Sequence, residues 1–593
     1  MDAVPPAIIF LLGAFLIPFL KGRVRQIYLL LIPFLALIDL VLIEPQISYT
    51  LSFQGMDLVF LQADRLSLFV GYIFAIIGFL NILYSLNVKE NGQHLSAFWY
   101  IGSSMGVVFA GDFFTLLFFW ELMAISSVFL IWYRKKKESI DAGFRYVLMH
   151  LFGGGCLLAG IVIHYWTTNS IEITSMDFGL SYILILIGVG LNTVFIPLHT
   201  WLPDAYPKAT IPGAVFLSVY TTKTGVYVLA RTFPGVEAVA YMGGIMALYG
   251  VTFALLQNDV RKLLSYHIVS QVGYMVAGVG IGTTLGVNGG MAHLFNHILY
   301  KALLFMCAGA VICRTGRNKL TELGGLAKKM PITTVTFVIA ALSISGVVGF
   351  NGFISKGMVI EAARSLPLLW LLLELASVGT FLSFLKLGYY GFFRKKEVEV
   401  KEAPGVMLIA MSITAFLCVA IGIYPDLIFK ILPNPVEYHP FSLEHVLGTS
   451  MLHIVTGIIF LLSLHLFKPH DRITYDFDYL YRKSARLFLW FCKEPMMKFA
   501  ITVDRITTRS AHTFLWFCRN PIGAMRYISY KFHLFYLELI KAEHAVELAI
   551  KLEEQKIRHL DRHEQISIGI AILLIVIILL IYLVVYVMGV RIF

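Results

Sequence analysis

Apolar runs of about 20 residues recur along nearly the whole chain and constrain its fold more than any other feature. A helix needs roughly 20 apolar residues to cross the hydrocarbon core of a bilayer, and every backbone amide in lipid must be hydrogen-bonded within the protein. The runs are too long and too uniformly apolar for the strands of a membrane barrel. The sequence therefore predicts an all-α polytopic membrane protein with about 16 transmembrane helices.

Basic residues support this topology. If the chain crosses the bilayer alternately, the following basic positions share one side: 21–25, 134–137, 261–262, 328–329, 394–396 and Lys468. The positive-inside rule makes that side the cytoplasm, so we expect the inner membrane of a prokaryotic cell with both termini outside. The net charge of +11 then reflects topology. We expect contact with lipid and no nucleic-acid partner.

Residues 471–566 depart from the pattern because they contain no spanning run. They carry a short repeat, LFLWFCKEP at 487–495 and TFLWFCRNP at 513–521, whose spacing is close to seven helical turns. Pro495 and Pro521 should kink or interrupt the helix. The mixture of basic and aromatic residues predicts a lateral amphipathic helix on the cytoplasmic membrane surface, followed by a final membrane anchor at 567–593. The helix is interpreted as a brace across neighbouring subunits, with a loosely bound amphipathic domain as the alternative.

Four ionisable residues lie inside apolar runs: Glu121, Lys223, Lys301 and Lys386. A lysine at the middle of a bilayer costs about 2.5–3.5 kcal/mol on insertion scales, so a chain keeps one when it has a partner or a function. The protonation of Glu121 would depend on a lysine nearby, which makes it a candidate switching group. The alternative is a static ion pair that ties two helices together.

Lys223 is surrounded in sequence by hydroxyl groups, namely those of Ser218, Thr221, Thr222 and Thr224. Hydroxyls can solvate an ammonium group and hold water molecules that relay protons. Serine and threonine also line ordinary helix–helix interfaces in membranes, so simple packing is the alternative.

The segment MAHLFNHILYKALLF carries His293, His297 and Lys301 at spacings of four residues, which places all three on one helical face. Histidine titrates near neutral pH and can pass a proton through its two ring nitrogens, so this face is a candidate relay. A metal or haem site, a quinone site and a structural polar stripe are the alternatives.

Glu374 and Lys386 share one apolar segment and lie about 18 Å apart along a straight helix. Ser377, Gly379 and Thr380 lie between them and could mark a break, and broken helices at mid-membrane commonly mark ion paths. We expect Lys386 nearer the cytoplasm and Glu374 in an outward exit route. A contact between Glu374 and a neighbouring subunit is the alternative.

Motifs for cofactors are absent from the sequence. The six cysteines form no CxxC pair: Cys156, Cys307, Cys313, Cys418, Cys492 and Cys518. No P-loop, dinucleotide GxGxxG or HExxH motif occurs either. We therefore expect no metal and no cofactor in this chain, and any redox chemistry would take place in partner subunits. The Gly153–Gly155 triplet is interpreted as a helix-packing contact.

Four strings carry a specific resemblance: PLHTWLPDA (197–205), RKLLSYHIVSQVGYM (261–275), HLFNHILYKALLF (293–305) and FNGFISK (350–356). Over about residues 60–470 the chain resembles the antiporter-like subunits shared by respiratory complex I (NADH-quinone oxidoreductase), membrane-bound hydrogenases, formate hydrogenlyases and Mrp sodium/proton antiporters. The lateral helix and final span resemble the distal complex I subunit by architecture only. The resemblance implies a bundle with two inverted five-helix repeats that translocates protons, or sodium, beside other membrane subunits.

The resemblance also implies a lateral hydrophilic axis, whose members match these positions: Glu121, Lys223, His293, His297, Lys301 and Lys386. One position departs from the family pattern, since Asn192 stands where a seventh-helix lysine is usual. Asparagine carries no proton at neutral pH. Either Glu121 pairs with Lys223 instead, or the first half-channel is altered or closed.

The predicted organisation follows from the runs and the resemblance together. It comprises N-terminal helices at 1–96, a first half-channel at 97–235, a second half-channel at 236–396, further bundle helices at 397–470, the lateral helix region at 471–566 and the anchor at 567–593. The function predicted is ion translocation through the buried Glu, Lys and His groups. The alternatives are an Mrp-type antiporter subunit without a redox partner and a non-conducting structural subunit.

Overall fold

The computed structural model describes residues 4–53, 55–470, 475–540, 544 and 546–551. The chain forms two units, Met1–Phe477 and Asp478–Phe593. The first part of unit 1 contains α1 (Pro6–Leu16), α2 (Gly22–Leu42), α3 (Arg65–Ser85), α4 (Asn91–Phe109), α5 (Phe113–Trp132), α6 (Lys137–Thr168), α7 (Leu180–Asn192), α8 (Trp201–Ala205), α9 (Ile211–Leu217), α10 (Thr221–Thr232) and α11 (Glu237–Leu256). Its second part contains α12 (Val260–Ile281), α13 (Thr284–Thr315), α14 (Pro331–Ser345), α15 (Asn351–Ala362), α16 (Pro367–Gly388), α17 (Gly405–Ile423), α18 (Asp426–Phe429) and α19 (Leu443–Leu462).

Helices of membrane-spanning length and hydropathy recur through unit 1. Within the described residues nine helices are long and apolar enough to cross a bilayer, and three apolar helices are shorter. The apolar run at 212–232, which the sequence predicts as one of the 16 spans, is divided into α9 and α10. The run at 568–589, predicted as the last span within the anchor, lies outside the described residues. The helical membrane fold is therefore confirmed, while the count of 16 spans remains a prediction.

A β-hairpin corrects the prediction of an all-α chain. Strands β1 (Ser48–Phe53) and β2 (Met56–Gln62) pair antiparallel, with Leu51 opposite Leu58. Gly55 lies in the connection with φ of +81°, a conformation that glycine adopts without steric cost. The alternation of polar and apolar residues in SYTLSF is typical of a strand, but it lies between long apolar runs that dominate the pattern.

The helices in the middle of unit 1 occur twice in the same order. Both α5 and α12 begin with an aspartate cap: Asp112 accepts from Thr115 N at 2.8 Å, and Asp259 accepts from Lys262 N at 2.9 Å. Each aspartate also forms an isolated β-bridge to a later segment. The helices that follow, α6 and α13, are both 32 residues long. After each of them comes a helix that ends within the bundle, α7 or α14.

Glycines allow α11 and α12 to pack with their backbones in close contact. A Cβ atom at Gly250 would overlap the backbone nitrogen of Ser270, and one at Gly243 would overlap that of Ala277. Small residues that permit close backbone approach are a common basis of helix association in membranes. The contact joins the start of the second repeated group to the helix before it.

Replacing Gly250 by valine is expected to destabilise the protein by at least the roughly 1–3 kcal/mol typical of overpacking, because rigid backbone must move. The same change at Gly155, where an added Cβ meets nothing within 4 Å, is the matched control. Thermal unfolding of the detergent-purified protein measures the difference. Equal unfolding temperatures for the two variants would contradict the close packing of α11 on α12.

The described part of unit 2 consists of consecutive helices with mostly exposed side chains. They are α20 (Phe477–Phe491), whose first residue is the last of unit 1, α21 (Met497–Arg519) and α22 (Pro521–Leu539). Pro495 lies in a π-helical turn, Cys492–Met496, and Pro521 begins a new helix, so both prolines interrupt the regular α-helix as predicted. The position of these helices on a membrane surface remains a prediction, and the anchor at 567–593 lies outside the described residues.

Candidate functional site

Lys223 lies at the break between α9 and α10. Its Nζ donates to the backbone oxygen of Ser218 at 2.6 Å and to Thr222 Oγ1 at 3.0 Å. Carbonyl groups at the end of a helix lack intrahelical partners and attract cations, which explains why the ammonium group is held there. Of the hydroxyl groups expected to solvate the Lys223 ammonium, that of Thr222 does so. The break between α9 and α10 was not predicted from the sequence.

The buried face of α13 carries His293, His297 and Lys301, as the spacing predicts. Nδ1 of His293 lies 3.1 Å from Ser355 Oγ. Nε2 of the same ring lies 3.3 Å from Gln271 Oε1 and also 3.3 Å from Tyr300 Oη. His293 therefore connects α13 to α12 and α15 through side chains that can donate or accept a proton.

His297 and Lys301 have unused hydrogen-bonding capacity. Both ring nitrogens of His297 and Nζ of Lys301 are buried and have no hydrogen-bond partner within the described part of the protein. The charges of Lys223 and Lys301 both act on His297, and Lys223 also acts on Lys301. Charges on neighbouring basic groups repel one another, so the protonation of each group in this cluster depends on that of the others.

The surroundings of the two histidines do not form a cluster of metal ligands. Among the described residues no three His, Cys, Asp or Glu side chains lie close enough to hold a metal ion. The rings of His293 and His297 have centroids 6.4 Å apart, and the Lys301 ammonium lies 5.9 Å from the Phe305 ring centroid. A further cation beside these ammonium groups would be unfavourable.

Lys386 lies in an unbroken helix, which corrects the expected break at Ser377–Thr380. Helix α16 is continuous and runs into a π-helical turn, Tyr389–Phe393. Nζ of Lys386 donates to the backbone oxygens of Leu255 at 2.6 Å and Gln257 at 3.1 Å, at the end of α11. Lys386 thus caps the carboxyl end of another helix, a stable position for a cation.

The break lies instead between α14 and α15, and the lysine beside it is Lys356. Lys356 belongs to the string FNGFISK, which the sequence singled out, but the break was predicted in the segment that carries Lys386. Lys356 is buried, and its Nζ lies 5.0 Å from the Tyr274 ring centroid without a hydrogen-bond partner in the described chain. The charges of Lys356 and Glu374 act on one another.

Glu374 and Lys356 line one cavity of about 400 Å³ between α15, α16 and α19. Its polar lining also includes Glu361, Arg364 and His445. Arg364 pairs with Glu361 at 3.0 Å, whereas Glu374 forms no direct ion pair with Lys356 in the described structure. Glu374 thus lies beside a polar cavity, and its role in an exit route remains a prediction.

Glu121 lies on α5 and does not pair with Lys223. Its carboxylate packs against Gly154 on α6, so closely that a Cβ atom there would overlap it. Gly154 is thus a packing contact, as the glycine triplet suggested. Since the Lys223 ammonium is bound to Ser218 and Thr222, the pairing with Glu121 considered from the sequence is absent from this structure.

Asn192 and His150 lie close together in the structure, although nothing in the sequence pointed to His150. Asn192 is the last residue of α7, is buried, and has no hydrogen-bond partner for either amide atom within the described residues. The His150 imidazole on α6 lies within reach of this amide, and its Nε2 also lacks a well-formed hydrogen bond. His150 lies within the apolar span of α6 and belongs to no recognised motif, so only packing identifies it.

Asp476, immediately before α20, contacts a buried cluster of polar side chains. Its carboxylate accepts from Tyr249 Oη and Tyr266 Oη, each at 2.5 Å, and lies 3.3 Å from His199 Nε2. The side chain is only 5% exposed. His199 belongs to the PLHTW string after α7, while the tyrosines lie on α11 and α12. One carboxylate therefore links both repeated groups.

Replacing Asp476 by asparagine is expected to cost about 1–3 kcal/mol, because buried donors lose a charged acceptor. Burial raises the pKa of this group, but the hydrogen bond and charge of His199 and the tyrosine hydroxyls lower it from 3.8 to about 2. The stabilisation is therefore present above pH 3.8 and is lost as the pH falls through 2. Thermal unfolding at pH 7 should show a lower midpoint than for the control Asp504→Asn, which changes an exposed aspartate of α21, and identical midpoints would contradict the anchoring role.

Comparisons with known proteins agree with this architecture. A family model described as NADH:quinone oxidoreductase/Mrp antiporter, transmembrane, matches residues 110–394. An uncharacterized protein of Methanocaldococcus jannaschii is 32% identical over 357 residues, which is 56% of this chain and 74% of that protein. The Na(+)/H(+) antiporter subunit A1 of Staphylococcus haemolyticus is 30% identical over 535 residues, which is 77% of this chain and 66% of that subunit.

Two solved structures share the fold. The membrane-bound sulfane sulfur reductase, an archaeal respiratory membrane complex, contains a chain with 26% identity and a TM-score of 0.68, covering 91% of this chain and 100% of that one. The Mrp complex from Dietzia sp. gives a TM-score of 0.74 with 22% identity, covering 88% of this chain and 62% of that one. The chain therefore belongs to the family of antiporter-like membrane subunits shared by NADH:quinone oxidoreductases and Mrp antiporters.

Proposed function

We propose that the chain translocates protons across the membrane as one subunit of a multisubunit complex of respiratory or Mrp type. The observation that carries the proposal is the buried basic cluster of Lys223, His297 and Lys301, whose charges act on one another while two members keep unused hydrogen-bonding groups. Ionisable groups inside a membrane protein are costly and usually mark ion paths. A purely structural stripe would be expected to use its hydrogen bonds.

The proposed relay runs laterally through the bundle. Glu121 stands at its first end, Lys223 and the α13 cluster at its centre, and Lys356 and Glu374 at the outward cavity. A proton on Lys223 disfavours a second proton on Lys301. Gain of a proton at Lys223 therefore drives the proton of Lys301 towards His297 and His293, and its loss allows Lys301 to be reprotonated.

Lys386 is proposed as the cytoplasmic uptake group of the second half. His267 Nε2 lies 2.7 Å from Ser383 Oγ, and Lys386 lies one helical turn beyond that serine. A proton taken up at Lys386 would reach the α13 cluster along this contact.

In this proposal the basic loops face the cytoplasm, both termini face outside, and unit 2 lies laterally on the cytoplasmic surface in contact with lipid. The repeated order of α5–α7 and α12–α14 supports two inverted repeats.

The proposed partner subunits are inferred from the complexes in which the related proteins are found. Both solved neighbours are multisubunit membrane complexes, one respiratory and one of Mrp type. We therefore propose other membrane subunits as neighbours, with any redox centre outside this chain. Sodium/proton antiport is the second candidate, favoured by the similarity to an Na(+)/H(+) antiporter subunit. A non-conducting structural role, raised by Asn192, is the third.

Proton flux in reconstituted vesicles tests the proposal. The complete complex, purified through a tag on this chain, is placed in potassium-loaded liposomes that contain a pH-sensitive dye. A potassium diffusion potential set with valinomycin should drive proton uptake well above that of empty liposomes. An added sodium gradient that drives proton movement would favour antiport. Flux no greater than in empty liposomes under either condition would favour the non-conducting subunit.

A further inference from the structure

Helices α6 and α13 have the same length, so positions along them can be compared directly. His297 is the fourteenth residue of α13, and His150 is the fourteenth residue of α6. Each helix follows an aspartate-capped helix, α12 or α5, against which it packs. His150 therefore occupies in the first repeated group the place that a relay histidine occupies in the second.

One turn after the histidine, the two helices carry different residues. The eighteenth residue is Lys301 in α13 and Gly154 in α6. The missing side chain of Gly154 is replaced by the Glu121 carboxylate, which packs against its α-carbon. An ionisable group thus lies one turn after the histidine in both places, a lysine in one and a carboxylate from a neighbouring helix in the other.

His150 has the freedom that a proton carrier needs. Its ring is buried between Tyr146 and Trp201, with centroid distances of 4.2 and 4.7 Å. Its Nε2 has no protein partner among the described residues, and the facing Asn192 amide is equally unpartnered. Asparagine can hydrogen-bond an imidazole but cannot hold a proton at neutral pH, whereas histidine can.

Polar groups continue from this ring towards Lys223. The Tyr146 hydroxyl lies 2.8 Å from Ser127 Oγ and within reach of Thr221. The hydroxyl of Thr221 in turn lies 2.6 Å from Tyr100 Oη. Thr222, the next residue, binds the Lys223 ammonium. The environment of His150 therefore borders Glu121 on one side and the hydroxyl groups before Lys223 on the other.

We propose that His150 is the proton carrier of the first half-channel, in place of the lysine that Asn192 replaces. This inference rests on the proposed proton translocation. In the step, the carboxylic acid of Glu121 gives its proton to one ring nitrogen and becomes a carboxylate. The other ring nitrogen releases its proton through the hydroxyl groups to neutral Lys223, which becomes an ammonium group.

Three variants of the complete complex test this assignment in the liposome flux assay. His150→Leu is expected to lower proton flux at least about tenfold, since a proton-transfer group is lost. Adding Asn192→Lys to His150→Leu is expected to restore at least half of the flux, because a titratable group returns next to position 150. His164→Leu, the same change on the same helix beside Phe113, is the control and is expected to keep wild-type flux. Gel filtration confirms that each complex is assembled.

The outcomes separate the two proposals. No flux in the wild-type complex would overturn proton translocation itself. Flux that is present in the wild type, lost in Lys301→Met and unchanged in His150→Leu would overturn only the role of His150. A loss in His150→Leu that Asn192→Lys fails to restore in an assembled complex would also overturn it, because the histidine would then act through packing. Loss followed by restoration supports it.

Discussion

Replacement of Lys301 by methionine is expected to reduce proton flux to the level of empty liposomes, a loss of at least about tenfold. Lys301 Nζ is buried among the other basic groups and has no hydrogen-bond partner in the described chain. Without it the charge of Lys223 has no neighbouring proton to displace on α13. The dye assay on the complete complex measures the loss directly.

The same substitution should not weaken the fold. Methionine nearly preserves the volume of the lysine side chain, and replacing a buried unpaired cation by an apolar group removes its desolvation penalty. The unfolding temperature of the variant should therefore equal or exceed that of the wild type. Lys395→Met, which removes an exposed lysine outside the bundle core, is the control and should leave both flux and stability unchanged. Wild-type flux in Lys301→Met would contradict the relay.

Alanine at Gly154 is expected to lower proton flux between about tenfold and 10²-fold, because the new methyl group would occupy the place of the Glu121 carboxylate. The carboxylate is the end of a flexible side chain, so it can move aside without displacing backbone. Alanine also favours a helix over glycine by about 0.8–1.0 kcal/mol. Folding should therefore be preserved while the first relay group is misplaced.

Gly155→Ala is the matched control for this substitution. The added methyl group there meets nothing within 4 Å, and the gain in helix propensity is the same. Both variants should unfold at temperatures no lower than the wild type, but only Gly154→Ala should lose flux. Equal flux in the two variants would mean that the position of Glu121 against α6 does not matter for conduction.

Several site residues could be predicted from sequence because their signals are local. A charge inside an apolar run identifies Lys223 and Lys301 without a structure, since the cost of placing it in lipid demands an explanation. Helical spacing alone places His293 and His297 on the face of Lys301. The structure agrees with these placements because burial within one helix depends on the order of residues along it.

Other residues could not be assigned in this way. His150 and Asn192 carry no unusual local pattern, and they become significant because α6 and α7 bring them together. The helix break was expected beside Lys386, but the polar and small residues of α16 are compatible with a continuous helix when neighbours satisfy them. The actual break, at residues 346–350 between α14 and α15, depends on how these two helices pack, which periodicity does not record.

The sequence by itself determined a helical membrane protein, its family resemblance and the buried basic face of α13, because each depends on hydrophobicity or on spacing within one segment. Only the tertiary structure decided that Glu121 rests on Gly154 rather than on Lys223, that Lys386 caps α11, and that Asp476 joins both repeated groups. These contacts link residues far apart in the chain. Their partners are chosen by packing between helices, where a missing side chain such as that of Gly154 matters as much as a charged one.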